Sequence, residues 1–149
     1  MITIAPENPG QPDIVALLRA ADEWYSTLYP PESNHLLDVA TLQQPDVTFL
    51  VAREAGLLRG FGAVAAREDY AEIKRMYVAP EARGLKLGRR LLEALEAQAL
   101  ARGLRRLRLE TGIGQPEAIQ LYRSAGYTEC GPFGDYQPDP LSLFMEKQL

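Results

Sequence analysis

The segment LKLGRRLLEALEAQALARG constrains the fold of this chain more than any other. Leu87, Leu91, Leu92, Leu95, Ala99 and Leu100 recur at helical spacing and form one apolar stripe, with Gly103 as a stop. A helix of this kind must lay its stripe on another apolar surface. Both flanks offer one: YAEIKRMYVAP reads as a strand ended by Pro80, and LRRLRLETG as a strand in which Leu104, Leu107 and Leu109 nearly alternate. Strand, helix and strand in that order imply a right-handed crossover within one sheet.

The rest of the chain supplies the neighbours. ITIAP is a short strand, and PDIVALLRAADEWYSTLYPP places Ile14, Leu17, Leu18, Ala21, Tyr25 and Leu28 at helical spacing behind Asp13 as a cap, with Pro30 and Pro31 ending the helix. A shorter helix is expected around Leu36 to Leu42, after the polar loop PPESNH. VTFLVARE and GFGAVAARE then read as a hairpin about AGLLRG. PEAIQLYRSAG is a short helix with Pro116 in its first turn and Gly126 at its end, and YTEC and LSLFMEKQ are closing strands separated by GPFGDYQPDP. The expectation is an α/β (α+β) fold, a mixed central sheet of about seven strands with flanking helices. The 149 residues suit a single domain, 1–149, because a chain of this size buries about 70% of the surface exposed on unfolding.

A net charge of -4 argues against general nucleic-acid binding, which needs a basic face. Cys130 is the single cysteine, so neither a disulfide framework nor a cysteine-based metal site is expected. With no signal pattern and no apolar run of membrane length, the expectation is a cytoplasmic protein without a membrane partner.

Between the central strand and the long helix lies a basic turn bracketed by Gly84 and Gly88. A helix start leaves backbone N–H groups unpaired and carries partial positive charge, so it receives phosphate readily. The two glycines allow close backbone approach, and Arg83, Lys86 and Arg89 would add charge-assisted hydrogen bonds. Two nucleotide motifs fail here: the P-loop needs a Gly-Lys-Ser/Thr ending, and G-x-G-x-x-G is not matched by RGLKLGRR.

The turn and a second segment resemble the GCN5-related N-acetyltransferase (GNAT) family. Arg83-Gly84-Leu85-Lys86-Leu87-Gly88 is similar to the family's R/Q-x-x-G-x-G/A loop, with Lys86 where the central glycine is usual. Lys86 is expected to take ordinary helical angles and to set its amine near the phosphates. QPEAIQLYRSAGY resembles N-x-x-A-x-x-L-Y-x-x-x-G-F, with Gln115 for asparagine, Ala118, Leu121, Tyr122 and Gly126 in register, and Tyr127 for phenylalanine. The resemblance implies the GNAT fold and acetyl-coenzyme A as donor. Its pyrophosphate would lie along Arg83, Gly84, Leu85, Lys86, Leu87, Gly88 and Arg89. The pantetheine arm would run beside Met76, Tyr77 and Val78, in a gap where the strands flanking the long helix splay apart, with Gln115 and Tyr122 close by.

An alkylammonium has a pKa near that of lysine, about 10.4, so acetyl transfer to an amine needs a base. Glu72 resembles the strand glutamate of the family's histone-modifying branch and is the first candidate; strict alternation would place Glu72, Lys74, Met76 and Val78 on one face. Glu110 is the alternative base. Tyr122 resembles the family's tyrosine acid, and a backbone N–H near Met76 or Tyr77 would meet the developing oxyanion. No partner histidine accompanies Cys130, so a covalent acetyl-cysteine is not expected.

On the acceptor side stand YPPESNHLL, with Ser33, Asn34 and His35, and GPFGDYQPDPLS, with Tyr136. Asp135, Asp139 and Glu32 could attract an ammonium, and Lys74 or Arg75 a carboxylate. The resulting expectation is transfer of acetyl to a primary amine of a small polar, amino-acid-like metabolite through a ternary complex. Two alternatives stand beside it: a protein N-terminus or lysine as acceptor, and a non-catalytic acyl-CoA sensor. Family likeness also suggests a homodimer.

Overall fold

The computed structural model describes residues 1–33, 38–83 and 86–149. The strands are β1 Ile2–Pro6, β2 Val47–Glu54, β3 Leu57–Ala66, β4 Ala71–Val78, β5 Arg106–Gly112, β6 Thr128–Cys130 and β7 Ser142–Gln148. The helices are α1 Pro12–Leu28, α2 Val39–Leu42, α3 Leu87–Ala101 and α4 Pro116–Ser124, with single 3₁₀ turns at Pro31–Ser33 and Pro80–Ala82. One seven-stranded sheet runs in the order β1-β2-β3-β4-β5-β7-β6. Its one parallel pair is β4 with β5, joined by α3 as the crossover reading requires.

Two apolar layers sandwich the sheet. The α3 stripe sets Leu92, Leu95 and Ala99 against Val64, Ala71, Ile73, Leu107 and Leu109. Burying each of those leucines contributes about 1.5–3 kcal/mol before entropy is subtracted. On the other face α1 lays Ile14, Leu18, Ala21 and Tyr25 on Phe49, Val51, Phe61, Ala63 and Tyr77.

Two local expectations are corrected. Gln11, not Asp13, caps α1, because Asp13 lies inside the first turn and accepts a hydrogen bond from Arg53 Nη1 at 2.8 Å. The β2–β3 turn is also tighter than AGLLRG. Ala55 (φ 51°) and Gly56 (φ 83°) form a two-residue turn, and the strand resumes at Leu57. Paired left-handed angles match the right-handed twist of the strands, which is why so short a turn closes this hairpin.

The decisive irregularity lies in β4. Phe61 pairs with Tyr77 and Ala63 with Lys74, so Arg75 and Met76 together stand opposite Gly62 as a bulge, and Arg75 takes φ 58°. The extra residue overturns the expected alternation. Met76 and Val78 join the α3 face, while Glu72, Lys74 and Tyr77 keep to the α1 face. Gly62 has no room for more: a Cβ there would meet Leu95 Cδ1 at 2.9 Å and Met76 Cγ at 3.1 Å.

Parallel pairing of β4 and β5 covers only Ala71–Ile73 against Leu107–Leu109. Past that point the strands part, and β5 stays zipped to β7 as far as Gly112 opposite Ser142. Among the described residues no helix is long and apolar enough to cross a membrane, and no group of three His, Cys, Asp or Glu side chains is placed to hold a metal ion.

Candidate active site

Where β4 and β5 separate, a solvent-open cleft forms. One lip is Ile73, Lys74, Arg75 and Met76; the other is Glu110, Thr111 and Gly112. Tyr25 and Tyr29 close it from α1, and Gln115 and Tyr122 from α4.

The two carboxylates occupy different environments. Glu72 is 3% exposed: its Oε2 accepts from Tyr136 Oη at 2.6 Å and lies 3.4 Å from Lys74 Nζ, while Oε1 lies 3.3 Å from Arg67 Nη2. Its carboxyl group is already shared among three partners. Glu110 lines the cleft and accepts from Ser142 Oγ at 2.7 Å. Lys74 also lines the cleft and makes a short hydrogen bond to Tyr136 Oη. Burial, then the charge of Glu72, pushes the Tyr136 hydroxyl well above its ordinary value, so it remains a protonated donor.

Three tyrosines converge on the opening. Tyr25 Oη donates to the Met76 carbonyl at 3.2 Å, and burial pushes its pKa up to about 12. Tyr29 Oη accepts from Gln115 Nε2 at 3.0 Å. The Tyr122 ring packs edge-on against Tyr127 at 5.8 Å, and its hydroxyl has no hydrogen-bond partner among the described residues. Burial raises that hydroxyl above its ordinary value, so it is protonated at neutral pH.

The helix opening fits a phosphate group. No acidic residue stands in the first turn of α3 to compete for its N–H groups. Gly88 lies where a Cβ would come within 3.2 Å of Leu121 Cδ2, so its bareness also brings α3 close to α4. Lys86 departs from expectation. It takes left-handed angles, φ 57° and ψ 23°, at the N-cap, because the chain must make there the turn for which the family's usual residue is glycine. The arginines are partly committed: Arg83 stacks over Trp24 at 5.5 Å and Tyr77 at 5.6 Å, and Arg89 pairs with Glu93 at 3.3 Å and donates to Ser124 Oγ at 3.2 Å. Gly84 and Leu85 lie outside the described residues.

On the acceptor side Ser33 lines the cleft and donates to Asp139 Oδ2 at 2.6 Å, tying the turn after α1 to the loop before β7. Asn34 and His35 lie outside the described residues. Arg75 is not placed to meet a substrate carboxylate. Its guanidinium is buried and bonded to Asp22 Oδ1 at 2.5 Å, since the bulge turns the side chain under α1. The sequence reading passed over Tyr25, Tyr29, Thr111 and Gly112 as cleft residues. The available signal is the four-residue spacing of Tyr25, on α1, and Tyr29, just past its end.

Residues 15–127 match the family described as Acetyltransferase (GNAT). An IAA acetyltransferase of Azospirillum brasilense is 54% identical over 150 residues, spanning 99% of this chain and 98% of its own. A crystal structure from Klebsiella pneumoniae, assigned as an acyl-CoA N-acyltransferase, superposes with a TM-score of 0.85 at 42% identity, covering 100% of this chain and 98% of that one. The PaiA N-acetyltransferase of Thermoplasma acidophilum, solved with coenzyme A, shares the fold at a TM-score of 0.78 and 20% identity, over 100% and 99% of the two chains.

Proposed function

The chain belongs to the GNAT acetyltransferase family, and from that premise we propose that it acetylates the primary amine of a small polar, amino-acid-like metabolite by direct attack in a ternary complex. Acetyl-CoA is the donor, and when bound it supplies an activated acyl carbon with a thiolate as leaving group. The backbone from Arg83 to Arg89 would hold its diphosphate, and Met76, Tyr77, Val78 and Gln115 its arm.

The observation that carries this reading is the divergence of β4 from β5, with Glu110 on one lip and Tyr122 lining the cleft from α4. Glu110 Oε takes a proton from the acceptor ammonium and frees the nitrogen lone pair for attack. Glu72 has the same chemistry but a different place. Bonded to Tyr136, Lys74 and Arg67, it fixes the orientation of Lys74, which can hold an acceptor carboxylate. Tyr122 acts as a hydrogen-bond donor to the departing sulfur. Complete transfer of its proton is uphill, because burial lifts the hydroxyl above the usual value of about 10 while a free thiol sits near 8.5.

A panel of amines and amino acids, with IAA included on account of the Azospirillum relative, assayed for release of free CoA tests the proposal. Glu110→Gln should lower kcat/KM at neutral pH by roughly 100-fold or more, the usual scale for a lost base. Tyr122→Phe should lower kcat about 10-fold or more with little change in KM, as expected when an interaction made only in the transition state is removed. Wild-type rates in both variants would defeat the assignment.

A further inference from the structure

Arg75 carries two costs at once. It holds a left-handed φ of 58°, for which glycine is the default, and its buried Nε has no hydrogen-bond partner among the described residues. Both are unfavourable, and such outliers persist only where the surroundings over-determine them. The surroundings here are one face of α1. Asp22 Oδ1 takes Arg75 Nη1 at 2.5 Å, the Leu18 carbonyl takes Nη2 at 3.4 Å, and Tyr25 Oη bonds the next carbonyl, that of Met76. Four and three residues separate Leu18, Asp22 and Tyr25, so they form a single ridge. The guanidinium also lies 6.0 Å from the Phe61 ring.

We propose that the Asp22–Arg75 pair is a positioning device that holds the β4 bulge so that the main chain at Met76 can donate to the thioester carbonyl. The inference rests on the acetyl-CoA reading of the cleft and adds to it two residues that do not touch the reacting atoms. Asp22 is the sharper half of the claim. Its side chain is 48% exposed on α1 and it does not line the cleft, so no contact with either substrate explains an effect there. Without the pair, the bulge keeps Tyr25 and, where Arg75 remains, the Leu18 carbonyl at 3.4 Å, and it can relax toward regular pairing, which would turn Met76 away from the gap.

The test compares wild type with Asp22→Ala, Asp22→Glu and Arg75→Ala. CoA binding is read by calorimetry, and bound acetyl-CoA labelled with carbon-13 at the carbonyl by infrared difference spectroscopy. A hydrogen-bonded carbonyl stretches at lower frequency. The wild type should show that shift, Asp22→Ala and Arg75→Ala should return the band to the free thioester position, and Asp22→Glu should restore most of it. CoA, which has no such carbonyl, should bind all four within about threefold, which also reports that each variant is folded. A shift that persists in Asp22→Ala, or is absent from the wild type, overturns the inference. So does CoA affinity falling in step with the shift, since the pair would then support the fold and not the carbonyl. Failure of wild-type protein to bind CoA is a separate result and removes the cofactor reading itself.

Discussion

Lys86 shows how a single residue can trade stability for a site. A non-glycine residue in the left-handed region costs roughly 1–2 kcal/mol, whereas glycine costs about 0.5–1 kcal/mol through the entropy of the unfolded chain. Strain is the larger quantity, so Lys86→Gly should stabilise the fold by about 0.5–1 kcal/mol, read as a higher urea midpoint at constant slope. The same change removes an exposed ammonium from the α3 opening, and CoA should bind several-fold more weakly by calorimetry. Gly112 makes the opposite demand. A Cβ there would overlap Tyr29, at 1.8 Å from Oη and 2.1 Å from Cζ, so Gly112→Ala must displace a ring that is held at Gln115. The expected cost is about 1–3 kcal/mol. In a Tyr29→Ala background most of that cost should vanish, and a double-mutant cycle of unfolding free energies measures the coupling.

At the scale of elements, Arg53 ties three pieces of chain together. From β2 it reaches Glu7, just past β1, through Nε at 2.8 Å and Nη2 at 2.9 Å, and Asp13 in α1 through Nη1 at 2.8 Å. Its guanidinium holds both carboxyls below their ordinary values of 4.5 and 3.8. Groups depressed in the folded state contribute stability that is complete above the ordinary values and is lost as pH falls through the folded ones. Wild type should therefore exceed Arg53→Ala by about 1 kcal/mol at pH 7, the modest figure of partly exposed pairs, and the gap should shrink as pH falls below those ordinary values in denaturant titrations. The elements themselves were legible where one period dominates: the leucine stripe of α3, the Pro116 and Gly126 brackets of α4 and the strands on either side of the crossover. The place of the β4 bulge was not, although the family resemblance implies a bulged strand ahead of the phosphate loop. Arginine at a left-handed angle carries no local signal, and one extra residue was enough to reverse the faces of Met76 and Val78. The two glutamates differ for another reason: Glu72 lies before the bulge, in register under Tyr136, while Glu110 lies on the β5 lip that parts from β4.

For the molecule as a whole, a chain of net charge -4 binds a polyanionic donor, so attraction must come from a local arrangement and not from the overall field. The cations near the α3 opening are unequal. Arg89 is engaged with Glu93, and Arg83 is drawn onto Trp24 and Tyr77, which leaves Lys86 and the helix N–H groups as the principal attraction. Screening acts on exposed charges, with a Debye length that falls from about 10 Å at 0.1 M salt to about 3 Å at 1 M, but it leaves short hydrogen bonds nearly intact. Two consequences separate the contributions. CoA affinity should fall only about 3- to 10-fold between 0.1 and 1 M salt, because few net charges are involved. Lys86→Gly should flatten that dependence, since the variant retains mainly the backbone donors. Calorimetric titrations of both proteins across the salt series check the pair of slopes. A dependence as steep in the variant as in the wild type would move the anion's main electrostatic partner from Lys86 to Arg83, and the stack on Trp24 would then have to open when the donor binds.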